Sequence, residues 1–239
     1  MKTRLVAAGG LFFAIAAAGA ACSGETTTET RTAVEHGEVL FGLSQLSPAP
    51  GNKLACIDCH DADATHQTGG SLAGATSRPS YWGGSELTLL GAVNHCRYYF
   101  MLADTPWTGE EVEARAIYAY LESLPGDGAA APFSIGSVVD PGPGDAGRGK
   151  AVYETACASC HGAKGTGEDA ITPTAPVLPD ETLAAHPPAS YTDAERRLVF
   201  IQKTRHGTFL GYGGQMPPFS LEVLSDAELA DLLTYMGVP

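Results

Sequence analysis

Basic side chains are few in this sequence: Lys and Arg together number 14 in 239 residues, against 27 Asp and Glu. That shortage excludes nucleic acid as a partner, because a phosphate backbone is held by a basic footprint. Histidine and cysteine are sparse too, at seven and six, so any recurring arrangement of the two carries information. No apolar run makes a comfortable bilayer span; the nearest, Leu5 to Ala18, falls short of the roughly 20 residues a membrane helix needs. A βαβ pattern is also missing, which removes the setting in which a C-x-x-C pair acts as a thiol redox site. What is plentiful is Gly, at 29, and Pro, at 16, and this predicts many turns and irregular connections. The length fits an export signal followed by two domains of about 100 residues each.

The amino terminus reads as that signal. Lys2 and Arg4 precede the apolar run, and Gly19-Ala20-Ala21-Cys22-Ser23-Gly24 comes after it. A small residue before a cysteine resembles a bacterial lipoprotein signal, which implies cleavage after 1–21, a lipid on Cys22 and a mature chain on the periplasmic or cell-surface side of a bacterial membrane. Residues 22–36, Thr-rich and polar, read as a flexible tether. Loss of Lys2 and Arg4 leaves 12 basic against 27 acidic side chains, a net of −15. An acidic mature surface suits protein partners with a basic docking face.

The central pattern is Cys56-Ile57-Asp58-Cys59-His60, repeated about a hundred residues later as Cys157-Ala158-Ser159-Cys160-His161. Cysteines at i and i+3 share one side of a helical turn, so both sulfurs can bond the two vinyl groups of one porphyrin while the following imidazole reaches its iron. Two such sites predict two haem c groups, attached through Cys56 and Cys59 and through Cys157 and Cys160, with His60 and His161 on the irons. A zinc ribbon would space its C-x-x-C pairs at about 15–20 residues, and a disulfide framework gives no reason for a histidine behind each pair.

With Cys22 assigned to lipid, Cys96 alone is left over. Leu89, Val93, Cys96 and Phe100 follow an i, i+4, i+7, i+11 stripe, so Cys96 points into the first core and is the leading candidate for the sixth ligand of the first iron. Met101 and His95, off that stripe, are its rivals, and an open site is the remaining alternative. In the second half, Met216 sits in Gly213-Gly214-Gln215-Met216-Pro217-Pro218, a loop without helical period, and is the expected ligand opposite His161. Met236 belongs to the core of the last helix.

The chain is a diverged tandem repeat. A glycine-led short helix precedes each attachment site, at Gly37 to Phe41 and Gly149 to Tyr153. Capping boxes at Thr108 with Glu111 and Ser225 with Glu228 open a closing helix in each half, and Thr192 with Glu195 opens a third. Residues 125–143 form a Gly/Pro/Ala-rich linker between a first domain at 37–124 and a second at 144–239. The predicted fold is all-α: two tandem helical domains of cytochrome c type.

Residues 144–239 resemble a monohaem class I cytochrome c domain through Gly149, Tyr153, Cys157, Cys160, His161, Gly162, Met216-Pro217 and Tyr235. The resemblance implies crossing terminal helices and electron transfer at an exposed haem edge. Residues 37–124, with Asn94, Cys96 and Arg97 ahead of an Ala-Tyr-Leu helix, are similar to the first domain of dihaem thiosulfate dehydrogenases and to the haem subunits of the Sox sulfur-oxidation system. Those families ligate one haem by His and Cys, matching His60 and Cys96. The expected function is transfer of single electrons between a redox donor and an acceptor protein. The alternative is an enzyme oxidising a sulfur substrate at the His60/Cys96 haem, where Arg97 would meet either the anion or a haem propionate.

Overall fold

The computed structural model describes residues 31–61, 66–209 and 214–239. The signal expected at 1–21 and Cys22 lie outside the described residues. Among those described there are nine α-helices and no strand, only an isolated bridge between Tyr81 and Glu86. The fold is all-α. None of these helices is long and apolar enough to cross a membrane.

Two helix crossings carry the frame. In the first half, α1 (Ala33–Phe41) lies across α4 (Val112–Ser123), and in the second, α5 (Ala146–Ala156) lies across α9 (Asp226–Met236). Each crossing is close because a glycine stands at its centre. A Cβ on Gly37 would meet the backbone of Ala116 and come within 2.7 Å of Tyr120 Cβ; one on Gly149 would meet the backbone of Asp231 and come within 2.8 Å of Tyr235 Cβ. Four residues after each glycine an aromatic ring packs on that tyrosine. Phe41 lies 5.2 Å from Tyr120 at 53°, and Tyr153 lies 5.7 Å from Tyr235 at 56°. The repeat seen in the sequence is thus a repeat of geometry.

Two apolar clusters sit beneath these crossings. Phe41, Leu46, Met101, Ile117 and Leu121 build one, and Tyr153, Ile201, Leu224, Leu229 and Leu233 are among those building the other. Each fully buried aliphatic side chain contributes on the order of 1.5–3 kcal/mol. A bidentate ion pair fastens the second crossing: Arg148 donates from Nε and Nη2 to Asp231 at 2.7 and 2.9 Å, and the Asp145 N–H donates to the same carboxylate. Met236 is buried in this core, as its helical position predicts.

The capping boxes of α8 (Asp193–His206), at Thr192 and Glu195, and of α9, at Ser225 and Glu228, form where the sequence puts them. Two boundaries differ from expectation. Helix α1 starts at Ala33, inside the stretch 22–36 assigned to a tether, because Thr32 and Glu35 make a further capping box. Helix α4 starts at Val112, since Thr108 and Gly109 turn their N–H groups onto the Glu111 carboxylate and Gly109 takes a left-handed φ of 96°, which breaks the helix there. The linker 125–143 carries no helix, yet it is docked. Phe133 meets the Trp82 ring edge-on at 5.4 Å, Ser134 N–H donates to Glu222, and Arg197 binds Asp140.

Candidate functional site

Both C-x-x-C-H segments fold into single helical turns, α2 (Ile57–His60) and α6 (Ala158–His161). In each, the turn closes by the histidine N–H donating to the carbonyl of the first cysteine, at 3.0 Å in the first and 2.9 Å in the second. This is the local geometry that sets two sulfurs on one side and the imidazole after them.

The two imidazoles are prepared identically. His60 Nδ1 lies 3.0 Å from the Gly70 carbonyl, and His161 Nδ1 lies 2.8 Å from the Pro176 carbonyl. A carbonyl only accepts, so Nδ1 carries the proton and the Nε2 lone pair is left for a metal. Burial lowers the pKa of both rings, holding them in the neutral, ligating form. Gly69 fits against His60 so closely that a Cβ there would stand 2.5 Å from either ring nitrogen. A side chain at residue 69 would displace the ring. Tyr153 plays a supporting part in the second half, its hydroxyl donating to the Gly162 carbonyl directly after His161.

Around α2 the chain encloses a cavity of 790 Å³, within the range of small-molecule sites. Cys56, Cys59, His60, Cys96, Arg97 and Met101 all line it. Burial pushes the Cys56 and Cys96 thiols up to about 12, so without a metal both are neutral. Cys96, on α3 (Leu89–Tyr99), is half-buried and lines the cavity together with Leu89, Val93 and Phe100 of its stripe. Met101 also reaches it, which the stripe does not predict: α3 ends at Tyr99, so helical spacing no longer places residue 101. His95 is not among the lining residues; its ring is half exposed, with Nδ1 3.9 Å from Glu86.

Arg97 is buried and locked by the loop after α3. Its Nη1 donates to the Thr105 carbonyl at 3.1 Å, its guanidinium lies 4.0 Å over the Trp107 ring, and Asn94 clasps Trp107 through both backbone groups. Its Nε is buried with no partner in the protein, a donor suited to an acidic group in the cavity. In the second half, Met216 and Cys157 both pack on the same core cluster. Thr208 N–H holds the Met216 carbonyl at 2.8 Å.

These residues fit haem c. Each turn offers two sulfurs and one unprotonated ring nitrogen, and the first adds a cavity, a soft donor in Cys96 or Met101, and a buried Arg97 N–H without a partner that would suit an acidic group such as a propionate. No group of three or more His, Cys, Asp or Glu among the described residues forms a bare metal site. When bound, haem iron supplies a one-electron couple; the chain supplies its attachment, its axial donors and its shielding from water.

The family described as cytochrome c oxidase, cbb3-type, subunit III matches residues 144–236. No curated protein matches the chain. Among solved structures, thiosulfate dehydrogenase from Marichromatium purpuratum in its as-isolated form is similar at 21% identity with a TM-score of 0.41, over 85% of this chain and 45% of that one. This chain thus aligns with less than half of that protein's length. Residues 144–236, less than half of the chain, are thus similar to a cytochrome c family domain.

Proposed function

We propose that the protein is an exported dihaem c-type cytochrome that passes single electrons between a donor and an acceptor protein. The observation that carries this is the identical preparation of His60 and His161: each ends a one-turn C-x-x-C helix, and each has its Nδ1 proton committed to a backbone carbonyl. His60 and Cys96 hold the first iron, His161 and Met216 the second. The mature surface, at a net charge of −15 from 12 basic and 27 acidic side chains, receives partners through a basic face. A lipid on Cys22 keeps the protein on the periplasmic or outer side of a membrane. The test is electron exchange with a basic and with an acidic redox protein of similar potential. The basic partner should react faster, and its rate should fall steeply with ionic strength; equal rates for both partners would refute the docking part of the proposal.

One observation favours a second reading, oxidation of a small sulfur anion at the His60/Cys96 haem. The buried Arg97 Nε is an unused cationic donor in that cavity. Reduction of the protein by thiosulfate above the rate of a free-haem control would support this reading, and its absence would leave Arg97 to a propionate.

A further inference from the structure

The cavity that holds His60 and Cys96 is not closed by the first half of the chain. Part of its wall is formed by Pro217, Pro218, Ser220, Glu222 and Val223, which come directly after Met216 and belong to the second domain. Met216 itself is not among the residues lining that cavity and packs on the core cluster against which Cys157 also packs. A single stretch therefore contributes to both neighbourhoods, with Met216 packed on the second core and the next two residues lining the first cavity.

That stretch is pinned on every side. The Gln215 side chain donates to the Phe100 carbonyl at 2.7 Å, at the end of the helix that bears Cys96. Thr208 N–H holds the Met216 carbonyl, Phe219 N–H donates to the Thr204 carbonyl at 2.9 Å, and Gly207 passes so close that a Cβ there would lie 2.5 Å from the Pro217 carbonyl carbon. Phe209, from the same second-domain segment, lies 5.0 Å from Trp82 and 5.1 Å from Tyr99, both of the first half, and Trp82 also lines the cavity. Pro218 is fully buried. Two prolines suit such a wall: neither has an N–H to leave unsatisfied against an apolar ring, and both fix φ.

Resting on the dihaem reading above, we infer that Gln215–Pro218 is a shared wall of both haem sites: Met216 serves the second iron while Gln215, Pro217 and Pro218 set the first porphyrin's pocket and its spacing from the second. The first haem is then tuned by residues of the other domain.

The experiment uses the full-length protein with both haems attached. Intact mass first establishes two haems in every variant, so failure of the dihaem reading shows at that step, before any spectrum is compared. Low-temperature EPR and a redox titration then compare wild type with Pro217→Gly, with Gln215→Ala and with Tyr153→Phe, whose hydroxyl supports the second site from the far side of its core. Pro217→Gly and Gln215→Ala should each shift the low-spin signal and the midpoint potential of the His60 haem; Tyr153→Phe should shift only the His161 haem. Should Pro217→Gly lower haem loading, Gln215→Ala, which removes one hydrogen bond, carries the comparison. If both variants leave the His60 haem's signal and potential at their wild-type values, the wall is not shared and the inference is overturned.

Discussion

Adding one methyl group at Gly149 probes the helix crossing of the half that carries the second C-x-x-C-H segment. The new Cβ would press on the Asp231 backbone and stand 2.8 Å from Tyr235 Cβ, where ordinary contact begins at 3.4 Å. Neither neighbour is the tip of a flexible side chain, so α5 and α9 must separate by at least the difference. Overpacking of this kind costs about 1–3 kcal/mol, and rigid backbone neighbours place it at the upper end. The gain in helix propensity from Gly to Ala returns about 1 kcal/mol. Gly149→Ala should therefore destabilise the protein by about 2 kcal/mol, a fall in Tm of roughly 8–16 °C for a domain of this size. Gly37→Ala should do the same to the first half, where Tyr120 Cβ would be 2.7 Å away. The assay is thermal melting of the haem-loaded protein monitored by circular dichroism at 222 nm. A Tm equal to or above wild type for either variant would refute the close-crossing argument.

Three further outcomes are expected from the same structure. Cys96→Ala should abolish a thiolate-type low-spin EPR signal from the proposed His60 haem, whose cavity Cys96 lines; an unchanged spectrum would refute Cys96 as its ligand. Asp231→Asn should lower the melting temperature, and by less than the loss of a buried charge pair would because the Arg148 side chain is 70% exposed and screened by solvent; an unchanged melting temperature would contradict it. In acid, Glu222 should release the linker. Burial raises its pKa, but hydrogen bonds from Ser134 and Ser220 outweigh that and hold it at about 2. A carboxyl titrating lower folded than unfolded stabilises fully above the unfolded range near about 4 and loses that contribution as pH falls through its folded value. Glu222→Gln should accordingly flatten the decline of Tm between roughly pH 5 and 2, and an unaltered slope would refute the role of the Ser134 contact.

Much of this architecture is legible in local sequence, because the signals are local. A C-x-x-C-H turn, a capping box and a glycine four residues ahead of an aromatic each act within one or two helical turns, and those at 56–60, 157–161, 192–195 and 225–228 appear where their spacing puts them. The start of α1 is readable from Thr32 and Glu35 but is obscured by the threonines around it. Other features depend on contacts between distant segments. The arrival of Met101 in the cavity depends on where α3 stops, and the docking of the linker through Phe133 and Ser134 depends on partners about 50 and 90 residues away in sequence. No periodicity encodes that Pro217 and Pro218 would complete a pocket whose cysteines lie at 56 and 59. The buried setting of Arg97 is intermediate: its place on α3 is visible, while its lock by Thr105 and Trp107 needs the loop to fold back.

The most direct measurement of the account is intact-protein mass spectrometry, with peptide mapping, of material matured in a host that attaches haem to cytochromes. It should find two haem c groups, one on the peptide bearing Cys56 and Cys59 and one on that bearing Cys157 and Cys160, with Cys96 unmodified. A protein carrying one haem or none, or haem on any other cysteine, would contradict it.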